Sequence, residues 1–368
     1  MKQVLKEKKN PNHSNKYIEN FRVEHYFCIE NIELQNLGNK KEVYFLGENG
    51  DGKTILLQAL VLALKIQGIK NDTDKTELGT VLQSIYENQK LELYAIDPNG
   101  IEYKYDETEQ RGTNYLENIY AYGSNRYRRN SLEFIDKEGY LSLFDDDQEL
   151  LSPVEWLRIV KLEEEFSSLK LEKAISLLED LLDKNVEINL RGSQVTFTER
   201  GTSILQFRQL SDGYKSVMTW VTDLVARLAK RQPTAELKDY EAIVLVDEIG
   251  LHLHPKWEAR LVKKLRTWFP KIQFFFTTHS PTLILSASKD AIFYRIYKEK
   301  GVSKISEPFA CSELSDLMLN GIVTSPLFDL ENATMRSFDP QKDELDTTNH
   351  YHSHRIRKLV EEEVQQLK

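Results

Sequence analysis

The stretch Gly47–Thr54, GENGDGKT, constrains this chain more than any other eight residues in it. It fits the phosphate-binding pattern G-x-x-x-x-G-K-[ST], and its flanks are of the right kind. Val43–Leu46 is a short apolar, β-prone run, and Ile55–Leu64 is apolar without a breaker, the pattern of a buried helix. Gly47, Gly50 and Gly52 allow the backbone, Asn49 included, to wrap so that successive N–H groups face phosphate oxygens. The start of the following helix adds partial positive charge at the same place. Lys53 then reaches β- and γ-phosphates, and the Thr54 hydroxyl suits Mg²⁺. ATP with Mg²⁺ is therefore the expected ligand.

A chain of 368 residues suits one large domain with insertions, or two lobes. Its 40% hydrophobic and 29% charged content is that of a globular protein. Cys28 and Cys311 supply neither a disulfide framework nor a CxxC metal site, which favours a reducing compartment. The first sixteen residues are polar and basic with no apolar segment behind them, and no apolar run is long enough to span a bilayer. A cytoplasmic protein without a membrane partner is expected. The net charge of −9 argues against broad coating of nucleic acid but leaves room for a local basic groove.

Before the P-loop, Phe21–His25 and Cys28–Leu34 read as two strands. Beyond its helix, Leu91–Ile96 alternates as a half-buried strand, Asp97–Gly100 is a turn and Ile101–Tyr105 returns, giving an antiparallel side sheet. Asn118–Tyr122 is another strand, ending in Gly123-Ser124-Asn125-Arg126-Tyr127-Arg128-Arg129. Arg126, Arg128 and Arg129 beside tyrosines are either a nucleic-acid contact or a solvated loop paired with nearby carboxylates. Val154–Asp183 turns helical, with Glu163–Glu165 as a solvated face, and Val195–Phe197 and Ile204–Phe207 are short strands.

Leu210–Ser216, LSDGYKS, then opens an apolar helix through Leu228, with Ser211 at the N-cap and Gly213 permitting close backbone approach. Alone, a capped helix explains it. Ala242–Val246 is a buried strand of the parallel type closed by two carboxylates, Asp247 and Glu248. Ligands of open α/β sheets lie beyond the strand C-termini, so these carboxylates face the P-loop crevice, Asp247 on Mg²⁺ and Glu248 on the attacking water. Leu251-His252-Leu253-His254-Pro255 opens a helix to Phe269, and no third metal ligand accompanies its histidines. Ile272–Thr278 is a second buried strand, ending in His279, which is placed to contact a γ-phosphate.

Taken together these stretches resemble the ABC-type ATPases of the SMC- and RecF-like soluble branch. GENGDGKT is similar to Walker A, LSDGYKS to the signature motif, AIVLVDE to Walker B, GLHLHP to the D-loop and TTHSP to the switch-histidine motif. The resemblance implies an α/β ABC-ATPase head: a P-loop core sheet, mixed or parallel, an antiparallel side sheet and a short helical insertion. It implies an arm over residues 1–20, the head over 21–149 and 196–328, the insertion over 150–195, and a polar tail over 329–368. It also implies a homodimer, or a higher assembly, closed around two nucleotides. Each site combines Lys53, Thr54, Asp247, Glu248 and His279 of one subunit with Ser211 and Gly213 of the other. The family's glutamine at a strand end near Mg²⁺ is missing, and Asn125 or Arg126 stands at that place.

Without a long coiled-coil arm, a second nuclease domain or a membrane-coupling feature, the chain is similar to the ATPases of Septu-type and retron-associated antiphage systems. "DEIGLHLHPKWEARLVKKL", "FPKIQFFFTTHSP" and "TSPLFDL" carry that likeness. It implies a separate effector, a nuclease, as partner. A DNA-binding repair ATPase and a nucleotide sensor of slow turnover are the alternatives. In the tail, His350, His352 and His354 alternate, and Arg355–Leu367 reads as an amphipathic helix for docking.

Overall fold

The structure is a computed structural model. It describes residues 17–65, 91–106, 111–112, 116–126, 130–131, 139–163, 169–199, 201, 204–232, 234, 236–314, 322–323 and 325–328. Arg128, Arg129, the tail histidines and the terminal helix lie outside the described residues.

Five strands form a parallel core in the order Ile292–Glu299, Glu42–Leu46, Gln273–Thr278, Ile243–Val246 and Ile119–Tyr122. The P-loop strand Glu42–Leu46 and the acidic strand Ile243–Val246 are thus separated by the strand that ends at His279. Four are buried along their whole length, which is why they read as largely apolar runs, whereas the outer half of Ile292–Glu299 is only partly buried. Alternate side chains divide between two clusters. Val43, Phe45, Leu245 and Phe275 pack with the P-loop helix Lys53–Lys65. Tyr44, Leu46, Val244, Val246, Phe274 and Phe276 face the other helices.

Those helices are Pro153–Leu162, Leu171–Leu181, Asp212–Arg231 and Pro255–Trp268. The helical span expected over Val154–Asp183 is therefore two helices, and an antiparallel hairpin Val186–Arg191/Gln194–Glu199, completed by Ile204–Leu205, follows them. A buried pair fixes the long helix to the core: Arg227 Nε donates to Asp223 Oδ2 at 2.6 Å, and Tyr122 Oη donates to the same oxygen at 3.1 Å.

The sheet continues past Ile292–Glu299 through Val302–Ile305, Ile29–Leu34, Asn20–Tyr26, Glu92–Ile96, Glu102–Asp106 and Arg111–Gly112. Apart from one parallel step between Val302–Ile305 and Ile29–Leu34, these pairings are antiparallel. This side sheet folds over the P-loop helix, whose residues are buried nearly all round. The expected α/β head with its parallel core and antiparallel side sheet is the fold observed. Cys28 and Cys311 are free thiols.

Candidate active site

Because the core strands are parallel, their C-terminal ends share one edge, and the sequence places its chemistry there. The P-loop leaves Leu46, turns over Gly47–Gly52 and enters its helix at Lys53. Gly50 takes φ +90, a region that costs an L-residue about 1–2 kcal/mol, and a Cβ there would meet nothing within 4 Å. Conformation, not crowding, thus requires this glycine, and its backbone borders the open space that a phosphate cradle needs. The loop is braced from below: Asp51 Oδ2 accepts from the Glu48 N–H at 2.7 Å, and Ser303 Oγ donates to the Asp51 carbonyl at 2.6 Å. Ser303 in turn donates its N–H to the Cys28 carbonyl, so the side sheet supports the cradle.

Lys53 Nζ donates to the carbonyls of Gly47 and Glu48, both at 2.9 Å, and lies 3.4 Å from Glu248 Oε1. Thr54 Oγ1 donates to Asp247 Oδ2 at 2.8 Å, and Thr277 Oγ1 donates to Asp247 Oδ1 at 2.5 Å. Glu248 donates its N–H to Thr277 Oγ1 at 2.8 Å, and its Oε2 lies 2.9 Å from His279 Nδ1. Lys53, Thr54, Asp247, Glu248 and His279 therefore stand together. No hydrogen bond or ion pair among the described residues joins Ser211 or Gly213 to them.

Ser211 is exposed at the start of the long helix and its hydroxyl accepts from the Tyr214 N–H at 3.5 Å. Gly213 is buried against the next loop: a Cβ there would lie 2.6 Å from the His252 carbonyl oxygen. The signature turn and the His252–Leu253 loop are thus packed backbone to backbone at the surface. His252 and His254 are exposed, and His254 Nδ1 accepts from the Lys256 N–H at 3.2 Å as a helix cap. Among the described residues no three His, Cys, Asp or Glu side chains gather as a metal cage.

The residues present fit Mg²⁺ with a nucleotide. Mg²⁺ takes one or two protein oxygens and completes its shell with phosphate and water. The Thr54 hydroxyl and the Asp247 carboxylate, in contact beside the cradle, are such a pair. Burial pushes the Asp247 carboxyl above its ordinary value; the Thr277 and Thr54 hydroxyls pull the other way, the Glu248 charge raises it further and Arg126 lowers it. A buried carboxylate held ionised at a cost is one that a divalent cation relieves.

This gives a prediction with a definite sign. Above the raised folded value the protein carries a disfavoured charge; below it the side chain is neutral, as asparagine always is. The stabilisation of Asp247→Asn over the parent, without metal or nucleotide, should therefore be absent below the ordinary value of 3.8. It should grow as pH rises through the folded value. A higher melting point for the variant near neutral pH is expected, alongside loss of Mg²⁺-dependent nucleotide binding. Thermal melts across pH check it, and a constant difference contradicts it.

Two supporting groups were not legible as functional, and a third has a role other than the one expected. Thr277 bridges Asp247 to the Glu248 backbone; the paired threonines before His279 were its only signal. Ser303 sits on a strand that no motif marks. Arg126 was expected at a nucleic-acid surface or at the missing glutamine's place facing the nucleotide. It does neither: it is 2% exposed and turned inward onto the backbone of Asp247 and Glu248. A guanidinium buried beneath the acidic strand offers nothing to nucleic acid. Asn125, half-buried beside it, retains access.

Comparison with known proteins agrees with the motifs. Residues 121–286 match a family model described as an AAA domain, putative AbiEii toxin, Type IV TA system. The chain is 27% identical over 336 residues to the Septu protein PtuA of Bacillus mycoides, covering 86% of this chain and 45% of that one. It is 38% identical over 140 residues to the retron Vc95 probable ATPase of Vibrio cholerae, covering 36% of this chain and 26% of that one. The chain thus spans less than half the length of these curated relatives. A crystal structure of an Smc head bound to the C-terminal winged-helix domain of ScpA aligns over 82% of this chain and all of its own, at 13% identity and a TM-score of 0.45. The chain resembles the Septu protein PtuA and the retron probable ATPases.

Proposed function

We propose that this chain is an ATPase that binds ATP with Mg²⁺, associates head-to-tail with a second copy around the nucleotide, and controls a separate nuclease in antiphage defence. One observation carries the catalytic half: cradle lysine, Thr–Asp pair, glutamate and histidine meet at one sheet edge within hydrogen-bonding or ion-pairing distance.

Mg²⁺, when bound, neutralises charge on the phosphate oxygens and orients them. Lys53 and the P-loop N–H groups bind and orient the β- and γ-phosphates. Thr54 and Asp247 would hold the metal. Glu248 accepts a proton from the water aligned with the γ-phosphate, and His279 hydrogen-bonds Glu248 and fixes its direction. Thr277 keeps the two carboxylates in register with each other.

The dimer half rests on Ser211. An exposed, capped helix start with partial positive charge, with no hydrogen bond or ion pair to its own chain's cluster among the described residues, suits a γ-phosphate presented by another copy. Ser211→Arg should leave nucleotide binding to the isolated chain intact and abolish ATP-dependent association, as read by sedimentation. Retained association with that variant discards the sandwich. The nuclease partner is supported by the likeness to Septu and retron ATPases. Its test is ATP-sensitive nuclease activity co-purifying with the tagged chain from its native cells. The phosphate released by the parent protein with Mg²⁺, and suppressed by EDTA, tests the enzyme itself; no release refutes it.

No described helix is long and apolar enough to cross a membrane.

A further inference from the structure

Arg126 follows the strand Ile119–Tyr122, the parallel neighbour of the acidic strand. One guanidinium nitrogen donates to the Gly123 carbonyl at 2.9 Å and to the Asp247 carbonyl at 2.6 Å. The other terminal nitrogen donates to the Glu248 carbonyl at 3.1 Å. The side chain thus spans the two consecutive carbonyls of the acidic pair and ties them to the loop that carries it.

The backbone it grips is unusual. Glu248 has φ +47, a left-handed conformation that a non-glycine residue adopts at a cost of about 1–3 kcal/mol and keeps only when its surroundings enforce it. A left-handed residue at a strand end turns its carbonyl out of the ladder, and the Glu248 carbonyl accepts from the Leu251 N–H at 3.0 Å as well as from Arg126. The fork of a guanidinium meets this oxygen and the Asp247 carbonyl at once, which an ammonium does not. The same turn directs the Glu248 carboxylate between Lys53 and His279. Gly123 keeps the loop close: a Cβ there would lie 2.2 Å from the Ser142 carbonyl oxygen, and the adjoining Leu143 carbonyl accepts from Gln58 of the P-loop helix at 2.9 Å.

We infer that Arg126 is a positioning residue for hydrolysis: it holds the Asp247–Glu248 turn, left-handed at Glu248, from beneath, and so fixes the Glu248 carboxylate where it takes the proton from the attacking water. This deepens the ATPase reading and rests on it. Arg126 acts through backbone carbonyls, so its loss should slow the chemical step and spare binding.

The experiment uses the full chain and three variants, Arg126→Gln, Arg126→Lys and Arg126→Gln combined with Glu248→Gln, with melting curves confirming that each is folded. Single-turnover hydrolysis should fall about 10- to 100-fold in Arg126→Gln, and affinity for a fluorescent ATP analogue should stay within about threefold of the parent. Arg126→Lys should recover part of the rate. In the Glu248→Gln background, where there is no carboxylate left to position, Arg126→Gln should change the residual rate by less than about threefold. Parent-like turnover of both Arg126 variants overturns the assignment, as does an equally large loss in the Glu248→Gln background. A parent with no Mg²⁺-dependent turnover sinks the ATPase reading instead, and the two failures are told apart by that one control.

Discussion

Lys53→Ala should reduce affinity for ATP with Mg²⁺ by at least about 100-fold, and turnover should be lost with it. The lysine is buried, and its ammonium is fixed by the Gly47 and Glu48 carbonyls at the mouth of the loop. Its truncation removes the only side-chain cation that faces both the cradle and Glu248 among the described contacts. An arginine does not restore it, because a planar fork does not fit the space of a compact ammonium. Fluorescent-nucleotide titration measures the loss. The fold should survive, because the helix behind Lys53 is held by Leu56, Leu57, Leu60 and Leu64, all buried. A variant that binds ATP like the parent would place the nucleotide elsewhere.

Glu248→Gln should lower turnover by about 10²- to 10⁴-fold, the range expected for a missing general base, with ATP affinity kept or improved. The amide preserves volume and the contact to His279 but accepts no proton at neutral pH. It also removes the negative charge 3.4 Å from Lys53, which frees that ammonium for phosphate. Burst and single-turnover phosphate release measure it. If affinity collapses together with turnover, Glu248 is a binding group and its role as base is wrong.

The sequence made much of this arrangement legible, for physical reasons that differ between elements. GENGDGKT carries its own geometry, since the glycines, the helix start and the lysine are adjacent in the chain. The strands Ile243–Val246 and Gln273–Thr278 are buried on both faces, and the unbroken apolar runs Ile243–Val246 and Phe274–Phe276 mark them. Ile292–Glu299, the P-loop strand's other neighbour, went unread because its second half, Arg295 to Glu299, is polar where the strand runs out to the side sheet. Of the hairpin Val186–Arg191/Gln194–Glu199, the second strand is read at Val195–Phe197, while the first alternates polar and apolar residues directly after two helices, whose period hides it. Arg126 was misread because a basic loop has the same composition whether its side chains point out or in. Its direction is set by the strand next to it in space, 121 residues away in the chain. Thr277 is invisible for the same reason, since its role exists only where two parallel strands bring its hydroxyl between Asp247 and the Glu248 N–H.

The measurement that reaches the central claim most directly is sedimentation of the Glu248→Gln protein with and without ATP and Mg²⁺. A monomer without nucleotide that becomes a dimer with it, and stays monomeric when Ser211→Arg is added, is the predicted result. A Glu248→Gln chain that binds ATP tightly and remains a monomer at saturation would contradict the account, leaving a nucleotide site that no second copy closes.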